Sequence, residues 1–155
     1  MNQRGFTLPE LLVVIAITTA VALATFLLIH PKNYDAQSRD AERQTGIAVI
    51  LQAINRYYAK QGHLPESITT KQAFIGTGSG NIDLCKDLVP DYISDLPLDP
   101  VGSTQTEEGR CNVSNQKYLT GYTVWRSKDG KTIHVAAIKG ESISKPLSVS
   151  HTYGQ

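Results

Sequence analysis

The sequence predicts an α+β fold: a long N-terminal helical spine, hydrophobic in its first half and amphipathic in its second, packed on a small antiparallel β-sheet. Three observations predict it. The chain from Phe6 to Ile29 is almost continuously apolar. Ile47, Ile50, Leu51, Ile54, Tyr57 and Tyr58 recur at spacings of three and four, the signature of one helix face. Two β-rich runs, YLTGYTVWR at 118–126 and KTIHVAAI at 131–138, flank Ser127-Lys128-Asp129-Gly130. An Asp-Gly between such runs is a strong hairpin signal. Two strands alone are marginal in water, so the apolar stripe of the helix is expected to cover them.

The first run reads FTLPELLVVIAITTAVALATFLLI. At about 1.5 Å per residue a helix of this length crosses a hydrocarbon core of about 30 Å. Aliphatic residues occupy every face, as a lipid-facing helix requires, and Pro31 marks a break or bend. Before the run stands MNQRG, a short polar leader with a single positive charge, Arg4. That charge orients the N-terminus to the cytoplasmic side and the rest of the chain across the membrane. A secretory signal peptide would carry its small-residue cleavage site after the apolar core. Here the small residue, Gly5, precedes it, so a cut after Gly5 removes the leader and keeps the helix.

Glu10 is out of place in this run. A carboxylate at membrane depth costs several kcal/mol unless something neutralises it. Thr7-Leu8-Pro9-Glu10 fits a capping box, with Thr7 as N-cap and Glu10 reaching back to its amide. Pro9 then falls in the first turn, where a missing N–H does no harm.

The stretch GFTLPELLVVIAI resembles the N-terminal signature of the type IV pilin and type II secretion pseudopilin superfamily. The resemblance covers about a tenth of the chain. It implies that a membrane-embedded aspartyl prepeptidase cuts between Gly5 and Phe6 and that the new terminus, Phe6, is N-methylated. Thr7 and Leu8 match the usual pattern, while Pro9 stands where isoleucine or valine is more common. The resemblance also gives Glu10 a partner: in a filament, the ammonium group of a neighbouring subunit. Burial makes each charge costly alone, and pairing offsets much of that cost. The implied partners are identical or related subunits, the prepilin peptidase, an inner-membrane assembly platform and, before assembly, membrane lipid.

The implied organisation is a leader at 1–5, a hydrophobic transmembrane and filament-core helix at 6–30, and an exported globular domain at 31–155. In that domain PKNYDAQSRDAERQTG is polar and IAVILQAINRYYAKQG carries the apolar stripe, so a helix is expected from about Asp35 to Gln61. Gly62 is its C-cap signal, with Pro65 soon after. Gly46 weakens this helix by up to about 1 kcal/mol relative to alanine. Arg39, Asp40, Glu42 and Arg43 are expected on a solvated face with pairs three or four apart; contacts between subunits are the alternative. Residues 62–115 read as loops, about 116–138 as the hairpin, and 139–155 as a polar tail that adds an edge strand or stays mobile.

Cys85 and Cys111 are the chain's two cysteines. Outside the cytosol they are expected to form one disulfide, with two free buried thiols as the alternative. Many pilins have a C-terminal disulfide-bounded region, but here a hairpin still follows the pair. Pro97-Leu98-Asp99-Pro100-Val101-Gly102 resembles the P-x-D-P-W-G stretch of major pseudopilins, with Val101 in place of tryptophan. The acidic calcium loop of those proteins has no match after Asp129. Asp91, Asp95 and Asp99 could gather on a hard cation, but aspartates beside prolines more often serve turns and caps. No metal site is expected.

Other function classes find little support. The 155 residues carry a net charge of +1, so no broad basic field attracts nucleic acid; Arg126, Lys128 and Lys131 around the hairpin turn are the local exception. IGTGSGN at 75–81 lacks the GK[ST] ending of a P-loop. His30, His63, His134 and His151 are scattered, no nucleophile or zinc motif appears, and no cofactor or enzymatic activity is expected. Asn112-Val113-Ser114 matches a glycosylation sequon, a weak signal. The leading reading is a pilin-like subunit polymerised into a cell-surface filament for adhesion, motility or DNA uptake. A periplasmic pseudopilin of a type II secretion system is the alternative. A single-span membrane protein with an exported binding or enzymatic domain is a third reading, and it leaves Gly5 unexplained.

Overall fold

A computed structural model describes residues 7–28, 31–101, 103, 111, 117–138, 140–141 and 147–153, with the side chains of 27, 28 and 31–34 left aside. Two compact units divide the chain, 1–35 and 36–155. The first contains helix α1, Leu8–Leu28. Its described side chains are all exposed, from Leu8 at 75% to Phe26 at 79%, and Leu8–Phe26 is long and apolar enough to cross a membrane. An apolar helix with no protein around it has its stable environment in lipid or against other copies of itself.

Helix α2, Pro31–Gln61, begins a few residues earlier than the expected start at Asp35. Proline is at home in a first helical turn, where its missing N–H would have no intrahelical acceptor. From Ala36 onward α2 belongs to the second unit and packs on the sheet. That sheet has four antiparallel strands in sequence order: β1 Ala73–Gly76, β2 Leu119–Arg126, β3 Thr132–Ala137 and β4 Leu147–Thr152. The α+β layout is therefore pilin-like. The central hairpin falls where the sequence places it, pairing Val124 with Val135 and Arg126 with Ile133. Gly130 turns it at φ +71°, a left-handed conformation that glycine adopts without steric cost.

One expectation changes, and the tail takes the first of its two stated alternatives, an edge strand. The segment read as a loop at 75–81 begins in strand β1, which pairs Ala73 with Val124 and Phe74 with Thr123, with a bulge between Phe74 and Gly76. The polar tail supplies β4, in register with β3 from Thr132↔Thr152 to Ala137↔Leu147. Both edge strands lack a full apolar alternation, because β1 is short and β4 leaves most of its side chains in solvent. A short helix, α3 at Cys85–Leu88, lies between β1 and β2.

The core sits between α2 and one sheet face. Ile47, Ile50 and Ile54 are fully buried, as are Tyr122, Val124, Ile133, Val135 and Ala137 opposite them. Each such side chain contributes about 1.5–3 kcal/mol by leaving water. Ile68, Ile75, Leu84 and Leu88 close the sides of this core from the connecting segments.

Gly46 has a packing reason that the helix pattern alone conceals. A Cβ built there would lie 2.3 Å from the Tyr122 hydroxyl oxygen and 2.7 Å from its Cζ. Only the absence of a side chain lets this buried ring reach the helix backbone.

Candidate functional site

At the start of α1 the first-turn geometry is that of a cap. The Thr7 amide donates to Glu10 Oε2 at 2.9 Å, and the Thr7 hydroxyl donates to the same oxygen at 2.8 Å. Thr7 O accepts from the Leu11 amide at 3.2 Å, the first intrahelical bond. The carboxylate thus satisfies an amide that would otherwise face an apolar environment unpaired, and its charge lies at the positive end of the helix dipole. Both donors converge on Oε2, and Oε1 has no hydrogen-bond partner among the described residues.

Farther along α1 the other polar side chains are satisfied internally. Thr18 donates to Val14 O at 2.9 Å, Thr19 to Ile15 O at 2.8 Å and Thr25 to Val21 O at 2.8 Å. Each hydroxyl folds back onto the preceding turn, so none demands water in a hydrocarbon setting. Glu10 is the one acidic or basic residue of the helix. Gly5 and Phe6, the expected cleavage and methylation positions, lie outside the described residues.

The second constellation is in the globular unit, and it overturns the expectation of a solvated face for Arg43 and Asp40, which are buried, while Glu42 is exposed as expected. Arg43 is 0% exposed, with Asp40 at 3% and Asp99 at 2%. Arg43 Nε and Nη2 donate to the two oxygens of Asp99 at 2.8 and 3.3 Å, Nη1 donates to Asp40 at 2.8 Å, and Nη2 also reaches Glu141 at 2.8 Å. Arg39 Nε donates to the other oxygen of Glu141 at 2.9 Å. Two guanidinium groups thereby face three carboxylates drawn from α2, the proline-rich segment and the turn after β3. The partners are themselves fixed: Asp99 accepts from the Val101 amide at 2.9 Å, and Asp40 accepts from the Glu141 amide at 3.1 Å. Its hydrogen bonds to Asp99 raise the Arg43 pKa above its ordinary value, so the ion stays charged in a buried site. Arg39, then Arg43, holds the Glu141 carboxyl below its usual value.

A third feature ties the connecting segment down. Cys85 and Cys111 are joined by a disulfide with Cα atoms 5.4 Å apart. Beside it the Tyr118 hydroxyl donates to Asp83 Oδ1 at 2.8 Å and accepts from the Cys85 amide at 3.2 Å. Burial, reinforced by Asp83, raises the Tyr118 pKa and keeps it a neutral donor.

The three aspartates considered for calcium separate. Asp99 is occupied by Arg43, Asp95 accepts from the Leu96 amide at 2.9 Å, and Asp91 is exposed. No group of three His, Cys, Asp or Glu gathers as a metal site among the described residues. Asn112, Val113 and Ser114 of the sequon lie outside those residues. Of the basic residues near the hairpin turn, Arg126 and Lys131 line a shared cavity, whereas Lys128 does not.

Sequence reasoning missed the Arg43 network because its members are far apart in the chain. One signal was available: an aspartate held between prolines in Pro97-Leu98-Asp99-Pro100, resembling a motif whose charge had no stated partner.

Residues 1–26 match the family model described as the prokaryotic N-terminal methylation motif, the class III prepilin signal of type IV pilins and pseudopilins. No curated protein and no solved structure matches the chain.

Proposed function

We propose that the chain is a prepilin, cleaved after Gly5, N-methylated at Phe6 and polymerised through its N-terminal helix into a cell-surface filament. The observation that carries this reading is an apolar, exposed α1 that lies largely within the methylation motif at 1–26 and carries one carboxylate with an oxygen free among the described residues. Gly5 is the last residue of the leader. Once the leader is gone, Phe6 bears an ammonium group. Glu10 Oε2 continues to cap Thr7 while Oε1 receives the ammonium of a neighbouring subunit, so one residue serves both the helix and the docking register.

In lipid the unneutralised carboxylate is costly, and docking removes that cost. Assembly is thus favoured in the register that brings the two charges together. The globular unit at 36–155 is carried to the filament surface, and its Cys85–Cys111 disulfide suits an oxidising compartment. Adhesion, motility and DNA uptake are the functions open to such a filament. The partners are like subunits, the prepilin peptidase, the inner-membrane assembly platform and the lipid that holds the subunit before assembly.

A second reading, a short periplasmic pseudopilus for protein secretion, is favoured by Pro97-Leu98-Asp99-Pro100, whose aspartate is a structural ligand of Arg43. Replacing Glu10 with glutamine tests the proposal in native cells. The variant should still be processed and held in the membrane, because cleavage does not use the pairing, but it should be lost from the sheared filament fraction. Filaments at the wild-type level from Glu10→Gln would refute the pairing role.

A further inference from the structure

Within the globular unit an open cavity of about 440 Å³ lies between the end of α2, the loop after it, the central hairpin and the end of β4. Six of its side chains carry chemistry: Tyr58, His63, Glu66, Arg126, Lys131 and Tyr153. Nothing in filament assembly uses them.

Arg126 and Lys131 make no ion pair among the described residues. The nearest acid along the chain, Asp129, has its carboxylate engaged in the hairpin turn. Its carboxylate contacts the Ser127 hydroxyl and accepts from the Lys131 amide at 2.9 Å, closing the hairpin turn. Both cationic residues line the cavity. The aromatic pair Tyr58 and Tyr153 has ring centroids 5.0 Å apart, tilted by 58°. Tyr153 is 6% exposed, and its hydroxyl has no hydrogen-bond partner among the described residues. A buried hydroxyl without an acceptor costs about 1–3 kcal/mol, so this one is a donor still available to any ligand that reaches it. Burial pushes the Tyr153 pKa up to about 12, so the group is an O–H donor at any ordinary pH.

We propose that this cavity binds an acidic sugar, a uronate whose carboxylate meets Arg126 and Lys131 while its ring lies on the tyrosines. The lining distinguishes this ligand from other anions. Glu66 stands in the same cavity. Its carboxylate opposes the multiple charges of a phosphate chain more than the single charge of a uronate, and it accepts hydrogen bonds from sugar hydroxyls. A pair of rings tilted by 58° does not offer parallel faces between which a nucleobase would stack. The volume suits one or two sugar rings, within the range of small-molecule sites. The site requires only that the globular unit is displayed, so it stands or falls separately from filament assembly.

The test uses the full chain in detergent, titrated with D-glucuronate and followed by saturation-transfer NMR and calorimetry. D-Glucose, inorganic phosphate and a single-stranded oligonucleotide are the comparison ligands. Glucuronate should bind at least tenfold more tightly than glucose or phosphate. Lys131→Met and Arg126→Met should each weaken it about tenfold, and Tyr153→Phe several-fold. Lys86→Met, at an exposed lysine 3.3 Å from Asp83, should leave it unchanged. Lys131 is exposed, so its variant is expected to fold, and an unchanged circular dichroism spectrum would verify this. Glucuronate and glucose binding equally, phosphate or the oligonucleotide binding more tightly, no binding by the folded wild type, or full binding by Lys131→Met would each overturn the proposal.

Discussion

Replacing Arg43 with methionine should be among the most damaging single changes in the globular unit. Methionine fills much of the volume of the arginine stem but removes four hydrogen bonds to three carboxylates. Glu141 keeps Arg39. Asp99 and Asp40, at 2–3% exposure, lose the guanidinium while the Val101 and Glu141 amides still donate to them. Removing one partner of a buried ion pair strands the remaining charge and costs about 3–5 kcal/mol. Domains of this size have about 5–15 kcal/mol of stability, so the variant should lose a large fraction of it. Urea unfolding of the full chain in detergent, read by circular dichroism, should show a lower midpoint with an unchanged slope. A further substitution, Asp99→Asn, removes the stranded charge, so Arg43→Met/Asp99→Asn should be more stable than the sum of the two single losses by about 1–3 kcal/mol. Protonating Asp99 in the single variant removes a buried charge that no longer faces the Arg43 cation, so the deficit relative to wild type should shrink as pH falls. A loss below about 1 kcal/mol, or additive behaviour in the double variant, would refute the account of a dry, charge-balanced cluster.

Gly46→Ala gains about 1 kcal/mol of helix propensity but drives a Cβ into the buried Tyr122 ring, 2.3 Å from its oxygen. Overpacking costs about 1–3 kcal/mol, so thermal unfolding should show a net loss, and a net gain would show that the ring moves freely. Reducing the Cys85–Cys111 bridge, or replacing both cysteines with serine, opens a loop with a sequence separation of 26. The unfolding free energy should fall by about 3 kcal/mol in the chain-entropy model, and no change would mean that the loop is held by its other contacts. Glu141 has a lowered carboxyl pKa in the folded chain, led by Arg39. Its contribution is present above the ordinary carboxyl value of 4.5 and is lost as pH falls through the lower folded value. Acid unfolding curves should show a smaller loss between pH 5 and 3 for Glu141→Gln than for wild type, and parallel curves would assign the acid sensitivity elsewhere.

The parts legible in the sequence were those governed by local rules. An apolar run of membrane length, a stripe at helical spacing and an Asp-Gly turn each depend on near neighbours, and α1, α2 and the β2–β3 hairpin lie where those patterns put them. The same locality explains Thr7 and Glu10, three residues apart and in contact. The edge strands were harder to read. Ala73–Gly76 is only four residues long, and Leu147–Thr152 carries serines and a histidine into solvent, so neither shows a clean alternation. Their strand character comes from pairing with β2 and β3, which is tertiary. The Arg43 cluster was illegible for the same reason: Asp99 and Glu141 are 56 and 98 residues away in sequence. Asp40 and Arg43 look like an ordinary solvated pair until the proline-rich segment is laid over them. Tyr122 likewise explains Gly46 only across the core.

The central claim is processing at Gly5 followed by assembly, and intact mass with N-terminal sequencing of protein sheared from native cells tests it most directly. The account predicts a chain in the sheared fraction that begins at Phe6 and carries a methyl group on its terminal nitrogen. A chain still beginning at Met1 and held in the membrane would contradict it, and a processed chain confined to the envelope would contradict surface assembly in favour of a pseudopilus.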